Sequence, residues 1–139
     1  MAIGLLFDTS VLICHLRDED RRCTEYMDRV ASGALDGYAS VLTLAELYAG
    51  ERVGGSEEFV IDQLVLPFQL VAPSSDVAAL AGRLVRQWRR SHGLGLVDAL
   101  IGATALSLQI PVLTLNTKHF QCIPGLLVIT PTADSAGQP

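Results

Sequence analysis

Ile3-Gly4-Leu5-Leu6-Phe7-Asp8-Thr9-Ser10-Val11-Leu12 is the stretch that decides the fold. An uncharged run ends at an acid, and a Thr-Ser pair then opens a second apolar run. An apolar segment this short, with no polar alternation, predicts a strand buried on both faces. Thr9 or Ser10 is the expected cap of a helix that follows to about Leu16. A buried strand feeding directly into a helix is the opening unit of an α/β protein.

The rest of the chain repeats that alternation. Helices are predicted over 18–31, 41–49, 57–66, 74–91 and 97–108. Strands are predicted over 35–39, 68–71, 112–115 and 126–129, with a turn over 117–120. Ser40 and Ser74 or Ser75 are the expected caps. Gly33, Gly50, Gly54-Gly55, Pro67 and Gly93-Leu94-Gly95 are the expected breaks. Strands alternating with helices imply a mainly parallel sheet. With 139 residues the chain reads as one domain over 1–131, followed by a small, polar and flexible tail over 132–139.

Hydrophobic residues make up 50% of the chain and charged residues 18%, so some apolar surface is expected to be buried against another chain. No apolar run reaches the roughly 18 residues of a membrane span. No basic stretch precedes the first apolar segment, which argues against a signal peptide and for a cytoplasmic protein. Cys14, Cys23 and Cys122 form no Cys-x-x-Cys motif and read as reduced, buried small hydrophobes. The formal net charge of −5 argues against strong non-specific nucleic-acid binding. It leaves room for a local basic patch: Arg83, Arg86 and Arg90 share a helix face, with Arg89 and His92 nearby.

Three acids stand alone in apolar surroundings: Asp8, Glu46 within Leu42-Thr43-Leu44-Ala45-Glu46-Leu47-Tyr48-Ala49, and Asp98 within Leu94-Gly95-Leu96-Val97-Asp98-Ala99-Leu100-Ile101. Each has an ordinary reading. Asp8 suits a helix cap, Glu46 a solvated helix residue, and Asp98 a first-turn acid that complements the helix dipole. Yet no Lys or Arg lies within three residues of any of them. Gathered together, they repel and raise one another's pKa, a conflict that a divalent cation resolves. Mg²⁺ takes carboxylates, waters and substrate phosphates, which makes phosphoryl chemistry the natural reaction. His15, His92 and His119 lack zinc spacing. No phosphate loop and no Gly-x-Ser-x-Gly elbow is present, and Ser10 stands where an aspartyl-phosphate phosphatase needs its second acid.

These segments, with Val112-Leu113-Thr114-Leu115-Asn116-Thr117-Lys118-His119-Phe120, resemble the PIN-domain ribonucleases, specifically the VapC-type toxins of bacterial type II toxin–antitoxin pairs. The resemblance runs in order over nearly the whole chain. It implies a three-layer PIN-like α/β fold with a mainly parallel, about five-stranded sheet flanked by helices. It implies that Asp8, Glu46 and Asp98 are the metal-binding and catalytic acids, using Mg²⁺ or Mn²⁺. It also implies endonucleolytic cleavage of structured tRNA or rRNA, leaving a 5′-phosphate and a 3′-hydroxyl. The implied partners are a cognate antitoxin, the RNA and a second copy in a homodimer, with a heterotetramer or larger assembly on antitoxin binding and no membrane.

One departure stands out. Where many relatives carry a fourth acid, this chain offers Asn116 and His119. Asn116 is retained as a catalytic candidate, able to orient a water or a carboxylate through its amide. Thr9, Ser10 and Thr114 are candidate supporting donors. Arg83, Arg86, Arg89, Arg90 and Lys118 are candidate RNA-backbone contacts. Tyr48, Phe59, Leu64, Leu66 and Phe68 are either core or a docking surface. The alternatives are a catalytically silent PIN-fold binding module and, with less support, a metal-dependent phosphatase of small molecules.

Overall fold

The computed structural model describes residues 2–50 and 58–131. The expected Gly54-Gly55 break and the flexible tail lie outside the described residues. The chain forms β1 (Ile3–Phe7), α1 (Thr9–Leu16), α2 (Arg21–Ala31), β2 (Leu35–Ser40), α3 (Val41–Ala49) and α4 (Glu58–Val65). It continues through β3 (Gln69–Val71), α5 (Ser75–His92), α6 (Leu96–Leu108), β4 (Val112–Leu113), α7 (Thr117–Phe120) and β5 (Val128–Ile129). The sheet is parallel throughout, in the order β3-β2-β1-β4-β5. The expectation of a mainly parallel, five-stranded α/β fold with helices on both faces is met.

The apolar run of β1 is explained by its central place. Successive side chains of a strand point to opposite faces. Leu5 and Phe7 enter a core shared with α1, α2, α3 and α4. Leu6 enters a second core, built with α5 and α6. Only a strand covered on both sides needs apolar residues at consecutive positions. Helix α6 is likewise buried over most of its length, which accounts for its lack of charge beyond Asp98.

Element ends differ from expectation where tertiary packing intervenes. Ser40 and Ser74 cap α3 and α5, accepting from the amides of Leu42 and Val77. Neither Thr9 nor Ser10 caps α1. The N-cap position is Asp8, whose side chain makes no capping bond. Strands β4 and β5 are two residues each, shorter than predicted. Of the ambiguous apolar side chains, Phe68 is buried and Leu64 partly so, whereas Tyr48, Phe59 and Leu66 are exposed. The cysteines are free, with Cys14 and Cys23 buried. Though nine positions apart, these two meet in the fold, and burial together with the Cys14 thiol pushes the Cys23 thiol up. Among the described residues no helix is long and apolar enough to cross a membrane.

Gly37 marks a close approach of β2 to its covering layer. A Cβ there would lie 2.7 Å from Val30 Cγ1 and 2.9 Å from the Phe68 ring. Phe68 cannot yield freely, because it packs edge-on against Phe7 with centroids 5.0 Å apart. Gly37→Ala is therefore expected to destabilise the fold by about 1–3 kcal/mol. Urea denaturation checks this, and an unchanged midpoint would contradict the packing account.

Candidate active site

Parallel pairing of β1 with β4 sets the site. Leu6 pairs with Val112 and Phe7 with Leu113, so the next residues along, Asp8 and Thr114, emerge side by side at the carboxyl ends of the strands. The Asp8 amide donates to the Leu113 carbonyl at 2.9 Å and holds the two strand ends together. Carboxyl ends of parallel strands are where α/β proteins build their sites. A cavity of about 70 Å³ opens there, lined by Asp8, Thr9, Ser10, Glu46, Asp98, Asn116 and His119. The fold thus brings all three isolated acids to one place, with Asn116 and His119 beside them. No Lys or Arg is among the described lining residues.

Each carboxylate is held by its own donors. Asp8 is buried, and its Oδ2 accepts from the hydroxyls of Ser10 and Thr114, both at 2.8 Å. The Leu115 amide donates to Ser10 Oγ at 3.1 Å and the Asn116 amide donates to Thr114 Oγ1 at 2.9 Å. Both hydroxyl oxygens are therefore engaged by backbone, which leaves their protons to point at Asp8. The reading of Asp8 as a helix cap is excluded, since its side chain faces the cavity partners and makes no cap bond.

Glu46 is reached from α1. The Thr9 hydroxyl donates to Glu46 Oε1 at 2.6 Å and stands 2.9 Å from the Thr43 hydroxyl. Thr9 has one proton to give, so with Glu46 taking it, Thr43 is left as the donor of the second bond. Thr43 was not singled out as a site residue in the sequence. It lies one turn before Glu46 on the same face of α3, and that spacing is the only available signal. Thr9 and Thr43 are both buried.

Asp98 sits in the first turn of α6, and its Oδ2 lies 2.9 Å from His119 Nδ1. Burial pushes the Asp98 carboxyl above the usual carboxylate range, and the Asp8 charge pushes it further. His119 opposes that rise through its charge and its hydrogen bond, while Glu46 adds a weaker upward push. The shift records burial first and then the charge of Asp8, with Glu46 a smaller contributor.

A divalent cation fits this donor set by chemistry. The donors are hard oxygens, and three carboxylates meet there with no Lys or Arg among the described lining residues. Among the described residues no three His, Cys, Asp or Glu side chains are already drawn close enough to ligate an ion together. Their present directions are set by the hydroxyl and imidazole partners. That arrangement suits a hydrated ion such as Mg²⁺, which keeps several waters between itself and its carboxylates.

The whole site falls within the segment that matches a known family. Residues 5–125 match the family described as the PIN domain. The chain is 34% identical over 122 residues to Ribonuclease VapC19 of Mycobacterium tuberculosis, covering 87% of this chain and 95% of that protein. It is 36% identical over 119 residues to Ribonuclease VapC10 of the same organism, covering 84% and 85%. In a toxin–antitoxin complex from Klebsiella pneumoniae, one chain is 32% identical with a TM-score of 0.67, covering 91% of this chain and 97% of that one. A chain of DNA-bound VapBC from Salmonella typhimurium gives a TM-score of 0.76 at 21% identity, covering 93% and 98%, which shows a shared fold. The chain belongs to the PIN-domain family, in its VapC group.

The raised Asp98 carboxyl has a consequence for stability. Its pKa in the fold lies above the unfolded value, so its contribution is full below the ordinary carboxylate range and is lost as pH rises through the raised value. At neutral pH the ionised side chain therefore opposes folding. Asp98→Asn keeps a partner for His119 and removes the charge. In EDTA at pH 7 it is expected to raise Tm by roughly a few degrees, with a smaller gain at pH 4. Thermal melts at the two pH values check this. A variant that melts below the parent at pH 7 would show that the Asp98–His119 pairing outweighs the repulsion.

Proposed function

We propose that this chain is a metal-dependent endoribonuclease acting as the toxin of a bacterial type II toxin–antitoxin pair. The observation that carries the reading is the meeting of Asp8, Glu46 and Asp98 in one small cavity without a Lys or Arg among its described lining residues. Relatives named Ribonuclease VapC support RNA as the substrate. A neighbour solved as a toxin–antitoxin complex supports an antitoxin partner. Structured RNA, tRNA or rRNA, is the substrate class the family resemblance favours, in the cytoplasm and with the chain as a homodimer that enlarges on antitoxin binding. Residues 1–131 are proposed as the single functional domain, with 132–139 a flexible tail.

Asp8, Glu46 and Asp98 would hold Mg²⁺ or Mn²⁺, partly through water. Such an ion supplies charge neutralisation at the phosphate and a water of lowered pKa. The chain's own groups do the remaining work. Ser10 and Thr114 fix Asp8 through Oδ2. Thr9 fixes Glu46 through Oε1. His119 orients Asp98 and, with Asn116, is a candidate for the position where many relatives carry a fourth acid. Asn116, exposed at the cavity rim, offers an amide that donates to a scissile phosphate oxygen and accepts from a water. One of the three carboxylates takes the proton of the attacking water. The exposed apolar side chains Phe59, Val60 and Leu66 suit the antitoxin or dimer contact that the composition calls for.

With Mg²⁺ or Mn²⁺ the purified chain is expected to cut a tRNA mixture, and EDTA is expected to stop it. Asp98→Asn should cost more than the 10–100-fold typical of residues that merely support metal ligands. Gel analysis of the cut ends checks both points. An Asp98→Asn variant that cuts at the parent rate would overturn the site. A parent chain that binds RNA or antitoxin but cuts nothing would favour the silent binding module, which the absence of a fourth acid otherwise leaves as second choice. Thr9→Val, which releases Glu46, should lower cleavage about 10–100-fold at limiting metal. Excess Mg²⁺ should restore part of that loss in a metal titration.

A further inference from the structure

The net charge of −5 conceals a division along the chain. Residues 77–131 carry Arg83, Arg86, Arg89, Arg90 and Lys118 against a single acid, Asp98, which belongs to the cavity. The excess of negative charge lies mainly ahead of α5, in runs such as Asp18-Glu19-Asp20. The second half of the molecule is therefore cationic on its surface.

Helix α5 gathers most of that charge. It buries Val77, Ala81, Leu84 and Val85, and leaves Arg83, Arg86, Arg89 and Arg90 exposed on the other side. Among the described residues none of the four arginines, nor Lys118, makes an ion pair. Like charges at three- and four-residue spacing repel, so the row weakens the free helix and gains from an anion laid along it. From Arg83 to Arg90 the row extends over about 10 Å of helix axis.

The row lies on a helix that packs against the one carrying Asp98. Helix α5 ends at His92, a short link through Gly93 follows, and Asp98 is the third residue of α6. Helix α6 also packs against α7, which carries exposed Lys118 next to His119. Cations thus stand on two helices packed against α6, the helix that carries Asp98, and none is among the described residues that line the cavity. A site made of carboxylates repels a polyanion, and cations placed beside the cavity offset that repulsion without neutralising the acids.

We infer that the exposed arginine face of α5, together with Lys118, grips the RNA backbone and guides the strand into the acidic cavity. This rests on the ribonuclease reading above. Guanidinium groups bind phosphates in pairs of hydrogen bonds, which suits a backbone-reading track. Such contacts position the strand and carry no base preference of their own. An acidic protein segment would match the charge of the row, but its binding would not require the row to lie on a helix packed against the one that carries Asp98.

The test uses the full chain with Arg83, Arg86 and Arg90 all changed to Ala, and the same three changed to Lys. The probe is a labelled tRNA mixture, cut and bound at 50–300 mM salt. For the Ala variant KM is expected to rise on the order of tenfold at 150 mM salt, with kcat within about twofold. The slope of log affinity against log salt should become shallower by about 2, from three lost phosphate contacts on single-stranded segments. The Lys variant should retain most of the slope. An unchanged KM and slope in the Ala variant would overturn the track while leaving the nuclease intact. A fall in kcat with no change in KM or slope would also overturn it. So would unchanged RNA binding with weakened binding to a purified antitoxin. Fluorescence anisotropy reads the same slope without catalysis, so a chain that binds RNA through the row yet cuts nothing upholds the track and refutes only the nuclease.

Discussion

Electrostatic repulsion among Asp8, Glu46 and Asp98 is the constraint on which the site depends. A fold gains nothing in stability by collecting carboxylates at the ends of buried strands, where water screens them poorly. The upward shift of Asp98, driven by burial and then by Asp8, is the trace of that cost. The fold tolerates it because two apolar cores, one on each face of β1, supply the stability from elsewhere. Three carboxylates gathered with no Lys or Arg among the described lining residues are a property a protein keeps for a ligand.

Neutral hydroxyls do the positioning that a salt bridge would do in a structural site. Ser10 and Thr114 hold Asp8, and Thr9, backed by Thr43, holds Glu46. A hydroxyl fixes a carboxylate by one directed bond and leaves its charge in place. An arginine in the same position would fix it and also cancel the charge that a divalent ion needs. His119 is the intermediate case, since its ring orients Asp98 whether or not it is protonated. The cations of the second half of the chain stay outside the cavity, on α5 and α7, where they leave those carboxylates charged.

The alternation of strands and helices was legible in the sequence because buried parallel strands need unbroken apolar runs and helices need caps. Ile3–Phe7 and the Ser40 and Ser74 caps stand where the local chemistry puts them. The failures at the site share a feature. Thr9 and Ser10 have the chemistry of helix caps, but partners remote in the chain, Glu46 and Leu115, claim their hydroxyls. The strand predicted over 112–115 ends at Leu113, and the Thr114 hydroxyl goes to Asp8, remote in the chain. Local propensity loses where a long-range hydrogen bond offers more.

The sequence by itself determined the fold class, the singular character of the three acids and the segregation of arginines to one face of a helix. These follow from periodicity and from the cost of leaving a charge in an apolar run, which are local properties. Tertiary structure alone decided that the acids share a cavity, that Thr43 supports one of them and that His119 meets Asp98. Those facts depend on the register of β1 against β4 and on the packing of α3 and α6 over the strand ends. Register and packing arise from contacts between segments far apart in the chain, so no window of the sequence encodes them.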